Sequence, residues 1–352
     1  MKRETGNLEM RQTGLDLLKL CAFLCVVCLH VAVKPWQQLP VNSSQFLVSN
    51  FFRGTWGVPV FVMITGSFLL DPDRNVDADK LKKYILRALV AFAVWSAVYE
   101  IYMICVVYPI NGVTQIQWKW EITELIRGEY HLWYLVMLIG LYMVTPFLRR
   151  ITREKELMQW YLVLFILWET LTRVVVRLPK VGVLLQPLAD NMHFQFAAGY
   201  TGYYVLGYYL TTVMLTKRQE SFLYIGGVLC LVAAPIGDFL LSATTGERLM
   251  QISGTLMPNM ILAAVAIFYL FRNRIANTGI VKRISRYIAQ LGFGAYLVHA
   301  LLISILWDIL GFVQLVEMPL LWIPVITILI SVTSLACAAL LRKIPVIGKY
   351  IV

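Results

Sequence analysis

Residues 14–34 read GLDLLKLCAFLCVVCLHVAVK. From Leu15 to Val33 the run is apolar, and it is long enough to cross a bilayer as a helix, which takes about 20 residues. It is too long for the apolar core of a cleaved leader, and many similar runs follow it, so it is read as a first transmembrane helix. Asp16, Lys19 and His30 are embedded in it. A charged side chain inside such a span costs at least about 2.5–3.5 kcal/mol on insertion scales, which makes these positions functional candidates. Lys19 and His30 stand eleven residues apart. At 100° per residue this is three turns plus about 20°, and about 16 Å along the axis. They share one face of the helix, Lys19 toward its N-terminal end and His30 in the other half.

The remainder of the chain has the same character. Of 352 residues, 59% are hydrophobic and 14% charged, and the mean hydropathy is +0.70. A soluble domain carries roughly 25% charge to cover its surface. Apolar runs at 14–34, 54–70, 85–108, 131–148, 158–176, 195–215, 221–242, 256–271, 290–309 and 320–341 predict an all-α membrane protein of about ten transmembrane helices, organised as a single domain over 1–352. The 31 Lys and Arg residues are not spread evenly. Alternate segments, counted from the N-terminus, hold 21, the others hold eight, and Lys19 and Arg87 lie inside spans. The asymmetry predicts both termini in the cytoplasm, which an even number of spans satisfies. The net charge of +11 therefore sets topology and implies no nucleic-acid partner.

Other ionisable groups fall at membrane depth. His299 lies near the middle of the ninth span, and His131 and His193 stand at the outer ends of the fourth and sixth. An imidazole titrates near neutrality and suits proton transfer, although a lone histidine on an apolar face reads first as a satisfied core residue. Glu100 lies in the third span. Glu169 and Arg173 form an i, i+4 pair that can neutralise itself. Asp238, beside Pro235 and Gly237, is read as a place where irregular backbone borders a cavity. Cys21, Cys25 and Cys28 form a helical stripe, read as small apolar filler in preference to a metal site. The segment GYTGYYVLGYYL (199–210) reads as close helix packing and an interfacial belt. WKWEITELIRGEY (118–130), in the longest outer loop, reads as a helix lying flat at the interface. The chain contains no phosphate-binding glycine loop, zinc spacing or nucleophile elbow.

Several segments in order resemble the acyltransferase-3 family of integral membrane acyltransferases. GLDLLKLCAFLCVVCLH (14–30) is similar to its first-span signature of a basic residue, ten residues and a histidine. GVPVFVMITGSFLL (57–70), HLWYLVMLIGLYMVTPFL (131–148), GYYVLGYYL (202–210), FGAYLVHALL (293–302) and IPVIGKY (344–350) follow the family's later segments. The chain departs from the pattern in several places. Lys19 stands where many members have Arg, Thr65 and Gly292 stand where Ser is common, and the second basic motif is represented by Lys82, Lys83 and Arg87. Lys keeps the charge but lacks the planar fork that grips phosphate. The resemblance implies transfer of an acyl group, commonly acetyl, from cytoplasmic acetyl-CoA to a hydroxyl of an extracytoplasmic carbohydrate or glycolipid. No bound cofactor is implied, and the localisation implied is a multi-pass protein of the bacterial plasma membrane. His30 is then the general base or a transient acyl carrier. Lys19 and Arg87 stabilise the anionic donor or the developing oxyanion, and Lys83, Glu100, His131, His193 and His299 are further pocket candidates. The chain is expected to stand alone, without the fused hydrolase-like domain of some members. Similarity also extends to the membrane portion of the membrane serine racemases of vancomycin resistance, so a transporter of a small polar solute such as an amino acid is the alternative. Oligomeric state is open.

Overall fold

The computed structural model describes residues 2–178, 180–192, 199–274, 279–312, 314–345 and 348, with side chains described from residue 14 onward, that of residue 281 excepted. The described residues are helical and contain no strand. In order, the helices are α1 (Lys2–Gln38), α2 (Ser44–Phe52), α3 (Gly57–Leu69), α4 (Ala78–Tyr102), α5 (Tyr108–Ile110), α6 (Trp118–Arg127), α7 (Trp133–Ile151), α8 (Lys155–Arg173), α9 (Val181–Asn191), α10 (Tyr200–Thr212), α11 (Lys217–Thr245), α12 (Pro258–Asn273), α13 (Gly279–Ser304), α14 (Gln314–Glu317) and α15 (Pro319–Leu341). Eight helical stretches among the described residues are long and apolar enough to cross a membrane. The shorter α10 and α12 occupy the positions expected of the sixth and eighth spans.

The helices outrun the apolar runs because capping groups, not hydropathy, set their ends. Asp77 accepts the Lys80 N–H at 2.8 Å and starts α4 well before the expected residue 85. Thr216 and Gln219 form a reciprocal capping box that starts α11 at Lys217. Ser43 caps α2, accepting the Phe46 N–H at 3.1 Å. The second span departs most from expectation. It begins at Ser44, not residue 54, and is broken between α2 and α3. At the break the Thr55 hydroxyl donates to the Ser253 carbonyl at 2.6 Å, and Cys25 donates to the Gly54 carbonyl at 3.2 Å. Cys25 thus satisfies a carbonyl of the interrupted backbone, and the Thr55 side chain ties the break to the loop before α12.

α1 is the central helix, packing on α2, α3, α12, α13 and α15. α3 and α10 form the closest seam. A methyl on Gly66 would overlap the Tyr204 carbonyl, and one on Gly207 would overlap the Met63 carbonyl, so only glycine allows the two backbones to meet. The Thr145 and Tyr204 hydroxyls are bonded beside this seam at 3.0 Å. Phe147, Leu167, Leu229 and Val332 are exposed, as lipid-facing side chains are.

Each end of the bundle is tied by an arginine. At the Lys19 end, Arg149 donates to the carbonyls of Leu69, Asp71 and Arg74 at 2.7, 2.8 and 2.8 Å. At the opposite end, Arg248 donates to the Trp36 and Leu39 carbonyls at 3.2 and 3.0 Å. Asp238 differs from its expected role. Fully buried, it accepts the N–H groups of Gln251, Ile252 and Ser253 at 2.9, 2.7 and 3.0 Å, and so folds the loop before α12. Glu169 likewise serves structure, pairing with Arg173 at 3.2 Å and accepting the Gly199 N–H at 2.6 Å.

Candidate active site

Three histidines from three distant parts of the chain meet inside the bundle. α1 carries His30, the turn before α7 carries His131, and α13 carries His299. The His30 and His299 ring centroids are 5.2 Å apart, and those of His131 and His299 are 5.3 Å apart. Four tyrosines surround them. Tyr130 meets His30 edge-on at 5.0 Å, and Tyr99 meets His131 at 5.1 Å. Tyr296 lies 5.5 Å from His131 and 5.4 Å from His299, with Tyr134 5.4 Å beyond it. His193 lies outside the described residues.

Hydrogen bonds fix this arrangement. The Tyr99 hydroxyl donates to the Leu297 carbonyl at 2.8 Å and accepts the Leu301 N–H at 2.9 Å, clasping α13 on either side of His299. Tyr296 donates to the His131 carbonyl and so holds the turn before α7 against α13. The His299 Nδ1 is bonded to the Tyr296 carbonyl. A carbonyl can only accept, so Nδ1 carries the proton, and the lone pair of a neutral His299 is on Nε2. That Nε2 is buried without a hydrogen-bond partner, and the His131 ring lies within hydrogen-bond reach of the Leu297 backbone. Buried polar atoms are nearly always paired, so an unpaired His299 Nε2 beside two further imidazoles makes this cluster the candidate site. A neutral imidazole always has one N–H, so His131 can present either a donor or a lone pair to the cluster, according to its tautomer.

On one side of the cluster lies a mostly apolar cavity of about 190 Å³. Tyr134 and Tyr296 form its histidine end, Phe23, Phe61 and Phe293 its walls, and Lys19 its far end. The Arg87 guanidinium stacks 4.7 Å from the Phe293 ring centroid, so it flanks the same cavity. Lys19 is paired with Asp16 at 3.1 Å and sits over Phe68 at 5.2 Å. Its separation of about 16 Å from His30 along α1 removes it from any carbonyl that His30 touches. Lys83 is exposed and does not line the cavity. Lys282, Arg283 and Arg286 instead line an adjoining groove at the start of α13, one turn before the cavity-lining Ile288 and Ala289.

On the other side of the cluster, Tyr99 borders a second pocket that also contains Glu100, Glu121, Glu124 and Glu129. Glu129 immediately precedes Tyr130 and His131. Burial raises its carboxyl above the usual carboxylate range, against the pull of the Tyr130 backbone N–H and of Lys34.

The sequence model of the family described as an acyltransferase domain, acyltransferase-3, matches residues 12–342. The chain belongs to the acyltransferase-3 family. It is a membrane acyltransferase, and the match takes in His30, His131 and His299 with both neighbouring pockets. No curated protein and no solved structure was found to match the chain. Within this acyltransferase, spacing along one helix reveals the shared face of Lys19 and His30. The meeting of His131 and His299 with His30 depends on tertiary contacts among α1, α4, α7 and α13, and no spacing rule encodes those. Among the described residues no group of three His, Cys, Asp or Glu side chains is placed to hold a metal ion.

Proposed function

We propose that the chain transfers an acyl group, acetyl in the simplest case, from cytoplasmic acyl-CoA to a hydroxyl of a cell-envelope carbohydrate on the other face of a bacterial plasma membrane. The observation that carries this reading is the three-histidine cluster, set between a cation-ended apolar cavity and a carboxylate pocket. By the positive-inside asymmetry the Lys19 end faces the cytoplasm. The CoA phosphates then lie against Lys19, Arg87 and the Lys282–Arg286 groove, the thioester arm occupies the apolar cavity, and its carbonyl arrives at Tyr134 and Tyr296. His30 is the general base. The acceptor hydroxyl oxygen attacks the thioester carbonyl carbon while its proton passes to His30. As the tetrahedral intermediate collapses the C–S bond breaks, and the proton is returned to the departing thiolate. Ester and CoA thiol are the products, and direct transfer balances without an acyl-histidine. The N–H of His131 stabilises the oxyanion, and the fixed lone pair of His299 relays the proton.

The test is CoA release from labelled acetyl-CoA by purified protein in detergent, wild type beside His30→Ala and His131→Ala. Loss of a general base is expected to lower the rate about 10²–10⁴-fold. Loss of an oxyanion donor is expected to lower it about 10²–10³-fold. Release that does not depend on His30 removes it from the mechanism. No release with any acyl-CoA, together with uptake of labelled amino acids into proteoliposomes, would replace this reading with transport.

A further inference from the structure

The pocket beyond Tyr99 is unusual in its charge. It encloses about 260 Å³ and is lined by residues of α4, α6 and the turn before α7, among them Glu100, Glu121, Glu124, Glu129, Trp120 and Ser96. Glu121 is only 5% exposed, and its two oxygens accept the Tyr108 hydroxyl at 3.0 and 3.1 Å. Of the cations nearby, Arg127 is spent on Glu124 at 2.6 Å. Lys34 interacts with Glu129 from the side of α1, where its ammonium also faces the Trp307 ring at 5.7 Å. Glu100 and Glu121 have no cation within ion-pair distance among the described residues.

One buried hydroxyl in this pocket is unsatisfied. Ser96 is 3% exposed, yet its hydroxyl has no hydrogen-bond partner. One oxygen of Glu100 is buried with no donor on it, and the Glu100 carboxyl lies within hydrogen-bond reach of Glu121. Carboxyls gathered in a partly desolvated space repel one another unless a proton or a cation sits between them, and an entering ammonium takes the place of that proton. Trp120, Tyr99 and Tyr108 add aromatic faces, which attract both an ammonium and the C–H face of a sugar ring. Next to the pocket, two helices lose α geometry at the same end of the bundle, Met103–Val107 after α4 and Ile305–Ile309 after α13. Such π segments often occur at functional sites.

We infer that this pocket binds the acceptor, and that the acceptor carries a cationic amine beside the hydroxyl to be acylated, as a free amino sugar does. The inference rests on the acyl-transfer reading above for the word acceptor, but binding can be tested apart from it. Glu100 and Glu121 hold the ammonium, Ser96 bonds a ring hydroxyl, and the neighbouring hydroxyl reaches past Tyr99 and Tyr130 to the histidines. Neutral and acidic sugars lack the group that the carboxylates are placed to meet.

Trp120 supplies an intrinsic reporter. Glucosamine, N-acetylglucosamine, glucose and glucuronic acid are titrated against the full chain in detergent while tryptophan fluorescence is followed. Glucosamine is expected to bind at least about tenfold more tightly than its N-acetyl form, the factor that about 1.4 kcal/mol of discrimination gives. Glu121→Gln and Glu100→Gln are expected to remove that preference, and Ser96→Ala to weaken binding of every sugar. Glu100 is less deeply buried than Glu121, so its variant carries the test should Glu121→Gln fail to fold. Equal binding of the four sugars, or a preference unchanged in the glutamine variants, overturns the inference. Calcium displacing glucosamine would show a cation site of another kind and also overturn it. Labelled acetyl transfer in the same samples addresses the reading beneath. Amine-selective binding without CoA chemistry would leave the pocket assigned and the acyl transfer refuted. Histidine-dependent CoA release without amine selectivity would do the reverse.

Discussion

At the scale of single residues, the site separates side chains that hold structure from those that hold chemistry. His299 does both. Its Nδ1–H is tied to the Tyr296 carbonyl and its Nε2 carries the lone pair. His299→Asn retains a donor near the Nδ1 position and loses the second nitrogen. It is expected to fold with a melting temperature close to wild type and to lose CoA release by at least about 10²-fold. A thermal scan in detergent beside the rate assay checks both halves. Asp238 shows the opposite balance. It accepts three backbone N–H groups in a buried loop, and bonds to a charged group contribute about 1.5–3 kcal/mol each. Asp238→Ala is therefore expected to lower the melting temperature markedly and to reduce the yield of folded protein. In the sequence Asp238 looks like a cavity residue, because intramembrane charge marks cost without showing who repays it. The repaying groups are the N–H groups of Gln251, Ile252 and Ser253, and they come from another part of the chain.

At the scale of elements, hydropathy and composition identify most of what the structure contains. The interfacial segment at 118–130 becomes α6, with Trp118 and Ile126 exposed and Glu121 turned inward. The tyrosine–glycine run becomes α10, and its Gly207 meets α3 as a packing residue. The break of the second span at Arg53–Trp56 was not legible. The contacts that hold it, Cys25 on the Gly54 carbonyl and Thr55 on the Ser253 carbonyl, come from distant parts of the chain. Helix ends lie beyond the apolar runs for a related reason. Asp77 and Thr216 continue their helices into charged turns where hydropathy falls away. Two predictions belong to this scale. Gly207→Leu has no room at the seam and is expected to abolish folded protein, read as loss of a monodisperse peak on size exclusion. Arg149→Ala leaves the Leu69 carbonyl at the end of α3 and the Asp71 and Arg74 carbonyls of the following loop without their donor. It is expected to destabilise by about 1–3 kcal/mol, since each of the carbonyls loses a charged donor, and proteolysis of the 70–75 loop checks it.

At the scale of the whole molecule, the order of parts runs from one end of the bundle to the other. Basic groups stand first, then the apolar cavity, the tyrosines, the histidines and the carboxylates. That order suits two substrates arriving from opposite faces and meeting at a fixed centre. Orientation can be measured directly. Single cysteines introduced at Asn75 and at Ser43, in a background without the six native cysteines, are expected to react with membrane-impermeant maleimide from opposite sides of sealed vesicles. Ser43 is expected to react from the outer face. Labelling of both from one side would contradict the assigned topology and with it the route of the donor.

The glycine seam between α3 and α10 bears on how anything crosses this protein. Backbone touches backbone there, with no side chain between to slide or repack. Val58, Phe61 and Thr65 of α3 also wall the apolar cavity, so that wall is anchored to a joint without play. A carrier that alternates its opening must let such a joint hinge or shear, whereas a relay that hands a small group between two stationary guests needs no movement of it. Covalent stitching across the seam is accordingly expected to leave turnover intact, and the cargo, not the scaffold, is then the part that travels.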